Sequence, residues 1–312
     1  MIDGQMAFLL KEMRSYFMIN QKYALKPETQ LDPLELMLIL DKFGLSEGRF
    51  LSRLPDNWRP KIIEEFEKRN LGEIEVTRIK RSLQRLKERG GILDLPIAYK
   101  EELNWLNNAL KAKSEGHIDD IISDPTDHVI SVKDIIENNS LSACRDTKIY
   151  WTAEEMVRVA KPLLSLSEEV YIVDRYIQLR SGDPDGYFRF FKTIIETTQG
   201  KKIKFIIYCT KEHFEKTDSK KNFKKKIAPQ LSSNQSIEFF ILSNQTTLHE
   251  RFIMSLKGGI YYDKGFQSSI DPQERHMVGY YSSSAFEQQW RDFVVNRDNL
   301  KIEDSFTMVH ET

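Results

Sequence analysis

At 312 residues, with 40% apolar and 30% charged side chains, the chain is long enough for two hydrophobic cores and too ordinary in composition to be disordered or fibrous. Its formal net charge of −1 excludes a global attraction to nucleic acid or anionic membranes, so such contacts have to come from local patches. No apolar run reaches the roughly 18 residues that span a bilayer, and the opening MIDGQMAFLL lacks the basic region and cleavage site of a secretory signal, so a cytoplasmic protein without a membrane span is expected.

Residues 1–146 read as an all-α unit. In DPLELMLILDKFG, Asp32 is placed to cap a helix, with Pro33 at its first position, Glu35 closing the capping box and Gly44 as the stop. A second helix is expected near Pro60, burying Ile62, Ile63 and Phe66. A third, EVTRIKRSLQRLKERGG, carries Val76, Ile79, Leu83 and Leu86 at helical spacing. YKEELNWLNNAL lines up Leu103, Leu106 and Leu110, and SVKDIIENN makes a short helix before a boundary at 146/147. This half is read as a helical adaptor, through which a protein partner would bind.

Beyond the boundary strands alternate with helices, the pattern of an α/β domain with helices packed on a mixed or parallel sheet. A helix capped by Thr152 is followed by the strand EVYIVDRYI at 169–177, the helix YFRFFKTIIETT and the strand KIKFIIYCT at 202–210. A lysine-rich helix, the strand SIEFFILS at 236–243 and a last helix from Ser284, burying Phe286 and Trp290, complete the order. Cys144 and Cys209 are too few for a disulfide framework, and Cys209 reads as a small core residue. There is no zinc signature, P-loop or Gly-x-Ser-x-Gly elbow, so neither metal nor cofactor is expected; His128 reads as a loop residue.

Two basic stretches stand out from the neutral background. Residues 201–226 hold ten lysines against three acids, among them Lys220, Lys221, Lys224, Lys225 and Lys226. Arg78, Arg81, Arg85 and Arg89 form a row at three- and four-residue spacing on the third helix. Either can contact nucleic-acid phosphates; either can equally be a solvated face or the rim of a protein interface.

The stretch TTLHERFIMSLKGGIYYDKGF, 246–266, carries the most chemistry. On a strand, His249 and Arg251 share one face while Leu248, Phe252 and Met254 share the other. An imidazole and a guanidinium side by side suit one anion. Gly258–Gly259 are expected to turn a hairpin, returning Lys264, Gly265, Ser268 and Ser269 to the same edge.

These residues resemble the phospholipase D-like superfamily, whose strand motif reads His-x-Lys, and in particular a divergent branch reading Leu-His-Asp-Arg. The resemblance covers about residues 148–300, and Asp174 in EVYIVDRYI is similar to the Asp of the opening strand of such domains. It implies a phospholipase D-like mixed sheet in which His249 is the nucleophile and Arg251, with Lys264 and Ser268, holds phosphate; covalent chemistry of that type needs no metal. Leu256 stands where the family carries Asp, and a single motif is present, so a working enzyme would need a homodimer that pairs two His249 side chains. The resemblance therefore implies recognition of a phosphate-bearing polymer, most simply nucleic acid, within a bacterial multi-protein system such as antiviral defence. The alternatives are a metal-independent phosphodiesterase or nuclease, and a lipid- or protein-binding scaffold. On the bland reading, His249 is a half-buried strand residue and Arg251 pairs with Asp174 or Glu250.

Overall fold

The computed structural model describes residues 19–310 except 29, 70, 124–128, 139, 140, 142–144, 181–185, 216, 247 and 272. The readings made on the first ten residues, His128 and Cys144 lie outside the described residues. The chain divides into two compact units, Met1–Arg145 and Asp146–Thr312.

The first unit corrects the all-α expectation: it is itself α/β. Strands β1 (Gln21–Leu25), β2 (Arg49–Ser52), β3 (Ile92–Leu93), β4 (Asp120–Ser123) and β5 (Ile130–Ser131) form one sheet in the order β3-β2-β1-β4-β5, with every pair parallel. Helices α1 (Pro33–Leu40), α2 (Trp58–Lys68), α3 (Glu73–Glu88), α4 (Trp105–Ser114) and α5 (Val132–Asn138) surround it. Tyr23, Leu25, Leu51 and Ile122 pack into one core, while Ala24 and Ile121 pack into another. Both faces are covered, as parallel sheets require. Strands of two to five residues buried on both faces show no polar alternation, and the helical periods around them mask them.

The helices follow their sequence signals with small shifts. Asp32 caps α1 through a full capping box, accepting from Glu35 N at 2.8 Å while Glu35 Oε2 accepts from Asp32 N at 3.0 Å. Ile79, Leu83 and Leu86 form the buried stripe of α3. In α4 the expected leucine stripe is displaced: Trp105, Ala109 and Ala112 are buried, whereas Leu106 and Leu110 are only partly covered.

The second unit holds a mixed sheet of eight strands, consistent with the expected α/β class. They are β6 (Asp146–Tyr150), β7 (Glu169–Val173), β8 (Ile203–Thr210), β9 (Gln235–Leu242), β10 (Phe252–Ser255), β11 (Gly258–Tyr262), β12 (Arg275–Tyr280) and β13 (Ile302–Val309). The order is β13-β9-β8-β7-β10-β11-β12-β6; β7, β8 and β9 are parallel and the remaining pairs antiparallel. Helices α6 (Ala153–Leu166), α7 (Tyr187–Thr197), α8 (Lys211–Glu215), α9 (Ser219–Lys226) and α10 (Ser283–Trp290) complete it. On one face Tyr171, Tyr208, Phe240 and Phe252 pack with Phe293 and the partly buried Phe286 and Trp290. On the other, Phe239 meets Phe191 and Phe223.

Two local expectations change. The β10–β11 hairpin turns on Leu256 and Lys257, because Ser255 pairs with Gly258; the glycines open the return strand instead. A Cβ on Gly259 would come within 2.9 Å of Tyr281 and 3.2 Å of Met254, so that glycine serves close packing. Helix α10 is capped by Ser282, whose Oγ accepts from Ala285 N at 3.3 Å, two residues before the expected start. Among the described residues, no helix is long and apolar enough to cross a membrane.

Candidate functional site

The register of the second sheet builds a site at the carboxyl ends of β7 and β8. Because β10 runs antiparallel to β7 and Phe252 pairs with Val173, Arg251 arrives beside the residues that follow β7, namely Asp174, Arg175 and Tyr176. Parallel β8 ends at the same edge, where Thr210 Oγ1 donates to Arg175 O at 2.9 Å and α8 begins immediately. The carboxyl edge of parallel strands is where open α/β sheets place their ligands.

Asp174 organises this edge. It is fully buried; Oδ1 accepts from Tyr176 N at 2.9 Å, and Oδ2 accepts from Phe266 N at 3.0 Å and from Tyr187 Oη at 2.9 Å. Burial pushes its carboxyl above the usual range, against the pull of these donors and of the nearby Arg251 charge. Burial and the adjacent Asp174 also push the Tyr187 hydroxyl up, which keeps it a donor. Gly265 is the residue that lets the returning chain come so close, since a Cβ there would stand 2.8 Å from Asp174 Oδ2 and 3.0 Å from Tyr187 Oη.

With both Asp174 oxygens occupied by other donors, Arg251 forms no ion pair with it among the described residues. Its guanidinium lies over the half-buried Tyr176 ring at 5.2 Å from the centroid, and that of Arg175 lies 5.1 Å from the same ring. His213 on α8 meets Tyr176 edge-on at 4.7 Å between centroids. The Nε atoms of Arg175 and Arg251 are buried and have no hydrogen-bond partner. Two guanidinium groups thus lie against one aromatic ring, each with an Nε donor that has no partner.

His249 and Arg251 part company. His249 lies in the irregular approach to β10 and its side chain is exposed, so the strand that both were expected to share begins only at Phe252. Lys264, expected to hold phosphate, instead pairs with Glu274 at 2.6 Å; Glu274 also engages Ser269 and, at 2.6 Å, His276 Nε2. These three partners hold the Glu274 carboxyl down at about 2. Ser268 Oγ is buried without a hydrogen-bond partner. Of the lysine block, Lys220 pairs with Asp304 at 2.7 Å and Lys226 reaches Arg180 O at 3.4 Å, while Lys221, Lys224 and Lys225 are exposed on α9. Arg78, Arg81 and Arg85 are exposed on α3, in the first unit. Cys209 is a buried free thiol whose pKa burial pushes up. No cluster of three or more metal-ligating side chains occurs among the described residues.

Sequence reasoning passed over Arg175, Tyr176, Tyr187 and His213. Arg175 and Tyr176 follow Asp174 directly in EVYIVDRYI, and the available signal was their place at the end of a buried apolar strand.

No family model and no curated protein matches the chain. Among solved structures, TrmBL2, an archaeal chromatin protein whose structure was described as showing a novel mode of DNA binding, aligns over 73% of this chain and 83% of its own, with 11% identity and a TM-score of 0.30. A polyphosphate kinase from Porphyromonas gingivalis aligns over 72% of this chain and 34% of its own, with 12% identity and a TM-score of 0.30. Likeness at that level carries no argument about function, which rests on the residues themselves.

Proposed function

We propose that the second unit recognises a phosphate-bearing polymer, nucleic acid in the first instance, through a phospholipase D-like site in which Arg251 and Arg175 clamp phosphate oxygens. The observation that carries this reading is the pair of guanidinium groups against the Tyr176 ring, each with a buried, unpartnered Nε donor. Each such donor costs about 1–3 kcal/mol while unsatisfied, and two like charges at one ring repel each other. A phosphodiester held by the terminal amino groups of the two guanidiniums neutralises one of those charges. Asp174 is the positioning residue, since it fixes the backbone of Tyr176 and Phe266 without consuming Arg251.

Recognition is preferred to hydrolysis because Lys264, the second cation a reacting phosphate would need, is held by Glu274. Fluorescence anisotropy with a labelled oligonucleotide tests the proposal. Arg175→Ala/Arg251→Ala should weaken binding at least about tenfold, the equivalent of one charge-assisted hydrogen bond; unchanged affinity overturns it. The exposure of His249 also favours a second reading, in which two copies pair their histidines and cleave a diester without metal. Chelator-resistant cleavage by a dimer, lost in His249→Ala, would establish that reading. The exposure of Arg78, Arg81 and Arg85 supports a further reading in which the first unit contacts a protein or nucleic-acid partner.

A further inference from the structure

Helix α8 carries neighbouring residues toward two different places. His213 meets Tyr176 in the arginine site, whereas Phe214 lines an open cleft of about 760 Å³ beside α9. Phe214 and Ile241, both almost fully buried, lie beneath the cleft, and Lys220, Lys221, Lys224 and Lys225 stand around it with Glu215, Asp218 and Asp304. Two of those acids are engaged, Asp304 by Lys220 at 2.7 Å and Glu215 by Lys211 at 3.9 Å. That leaves Lys221, Lys224 and Lys225, none of them ion-paired among the described residues, facing the single carboxylate of Asp218.

The lysines are displayed by construction. On the inner side of α9, Asn222 Nδ2 donates to Leu179 O at 2.7 Å, Ser219 Oγ accepts from Leu179 N at 2.9 Å, and Phe223 is fully buried. This anchoring fixes the helix against the segment that leaves the arginine site, and it turns positions 221, 224 and 225, at three- and four-residue spacing, outward together. An apolar floor under a cationic rim suits an anion that also carries flat apolar groups. A cleft of this size takes small organic groups, and a duplex is too wide to enter it. Two cationic sites joined by one short helix suit a ligand whose phosphates repeat, which a lipid with its phosphate at one end does not offer.

We infer that this cleft is a second subsite for a single nucleic-acid strand, which runs from the Arg175/Arg251 site across α8 and lays its next nucleotides in the cleft beside α9. The inference rests on the phosphate-recognition reading above. It adds the requirement that the ligand be single-stranded and several nucleotides long.

Strand length and the lysines test it together. The full-length protein should bind a single strand of about 16 nucleotides at least tenfold more tightly than one of about 4 nucleotides. In Lys221→Gln/Lys224→Gln/Lys225→Gln, affinity for the long strand should fall by up to about a hundredfold near 0.1 M salt, toward the level of the short one. The slope of log affinity against log salt should flatten by about 2, three phosphate contacts at roughly 0.7 each. Binding of the short strand should be unchanged. The substituted side chains are exposed, so an unaltered denaturation midpoint verifies the fold.

Unchanged binding of the long strand by the triple variant overturns the inference, as does tighter binding of a duplex, of inorganic polyphosphate or of vesicles containing anionic lipid. The underlying reading fails separately. If Arg175→Ala/Arg251→Ala leaves short-strand binding intact, the arginine site is wrong whatever the lysines do.

Discussion

Both units place parallel strands at their centre, yet they treat the carboxyl ends of those strands differently. In the first, Trp58 Nε1 donates to Leu25 O at 2.6 Å and Arg69 Nη1 donates to Leu31 O at 2.6 Å, so the chain leaving β1 is held by side chains of α2 and the residue that follows it. The capping box of Asp32 occupies the amino end of α1, where a phosphate would otherwise be drawn. Arg53 pairs with Asp94 at 2.5 Å; among the described residues of this unit Arg59 and Arg89 leave a buried Nε unpaired, and Arg89 is tied to Asp41 at 2.9 Å through Nη1. In the second unit the same edge ends in Arg175 and Arg251 with unsatisfied donors, while Asp174 is spent on backbone and tyrosine. One edge is closed by its own side chains, whereas the other leaves two buried guanidinium Nε donors without partners.

The closed edge should be the more costly to disturb. Trp58 is fully buried, and Trp58→Ala removes its ring from the core together with the bond to Leu25 O. A loss of about 3–5 kcal/mol is expected, read as a lowered midpoint in chemical denaturation; a loss below about 1 kcal/mol would mean that this edge is not closed by α2. At the open edge, Gly265→Ala forces a Cβ to within 3.0 Å of both Asp174 and Tyr187. Its expected cost is about 1–3 kcal/mol, and because the displaced atoms position Tyr176, oligonucleotide affinity should fall with it. Lost stability without lost affinity would separate Asp174 from the site.

The difference between the edges was only partly legible. The capping box at Asp32 and the buried stripe of α3 stand in the sequence because caps and helical periods are local signals. The sheet of the first unit does not, since residues such as Ala24 and Ile121 face one core and Tyr23 and Ile122 the other, leaving no polar alternation to read. Arg251 was found through its motif, whereas Arg175, Tyr176 and His213 come to it only through the register of β10 on β7 and the shared edge of β8. The pairing of Lys264 is not legible in the sequence, because Glu274, ten residues away, reaches it only once β12 pairs with β11.

That Lys264 clasp is a closed element inside the open unit, and it has a pH signature. Lys264, Ser269 and His276 hold the Glu274 carboxyl at about 2, against 4.5 for an ordinary glutamate. Between those values the unfolded chain binds more protons than the folded one, so stability rises with pH across the window. The contribution is fully present above about 4.5 and disappears as pH falls toward 2. Glu274→Gln should flatten this part of the profile, seen as a wild-type minus variant difference in denaturation midpoint that shrinks with acidification. A difference independent of pH between 4.5 and 2 would show that the clasp does not depend on charge.

The smallest effect is expected at the residue that first drew attention. His249 is exposed, and its backbone N–H donates to the neighbouring Glu250 carboxylate at 3.2 Å. His249→Ala should therefore change stability by no more than about 0.5 kcal/mol. If the open edge recognises phosphate through Arg175 and Arg251, the same variant should bind an oligonucleotide within about twofold of wild type, because neither guanidinium depends on the imidazole. A loss of affinity comparable to that of Arg175→Ala/Arg251→Ala would make His249 part of the arginine site, and loss of a cleavage activity would make it a nucleophile. An exposed imidazole is free to approach a reacting phosphorus only when a second group orients it, and the carboxylates that elsewhere in this unit orient histidine, Glu274 and Asp263 around His276, are not at its side. On the proposed phosphate-recognition reading the binding energy lies in the arginines, and His249 is the group whose removal tells recognition from catalysis.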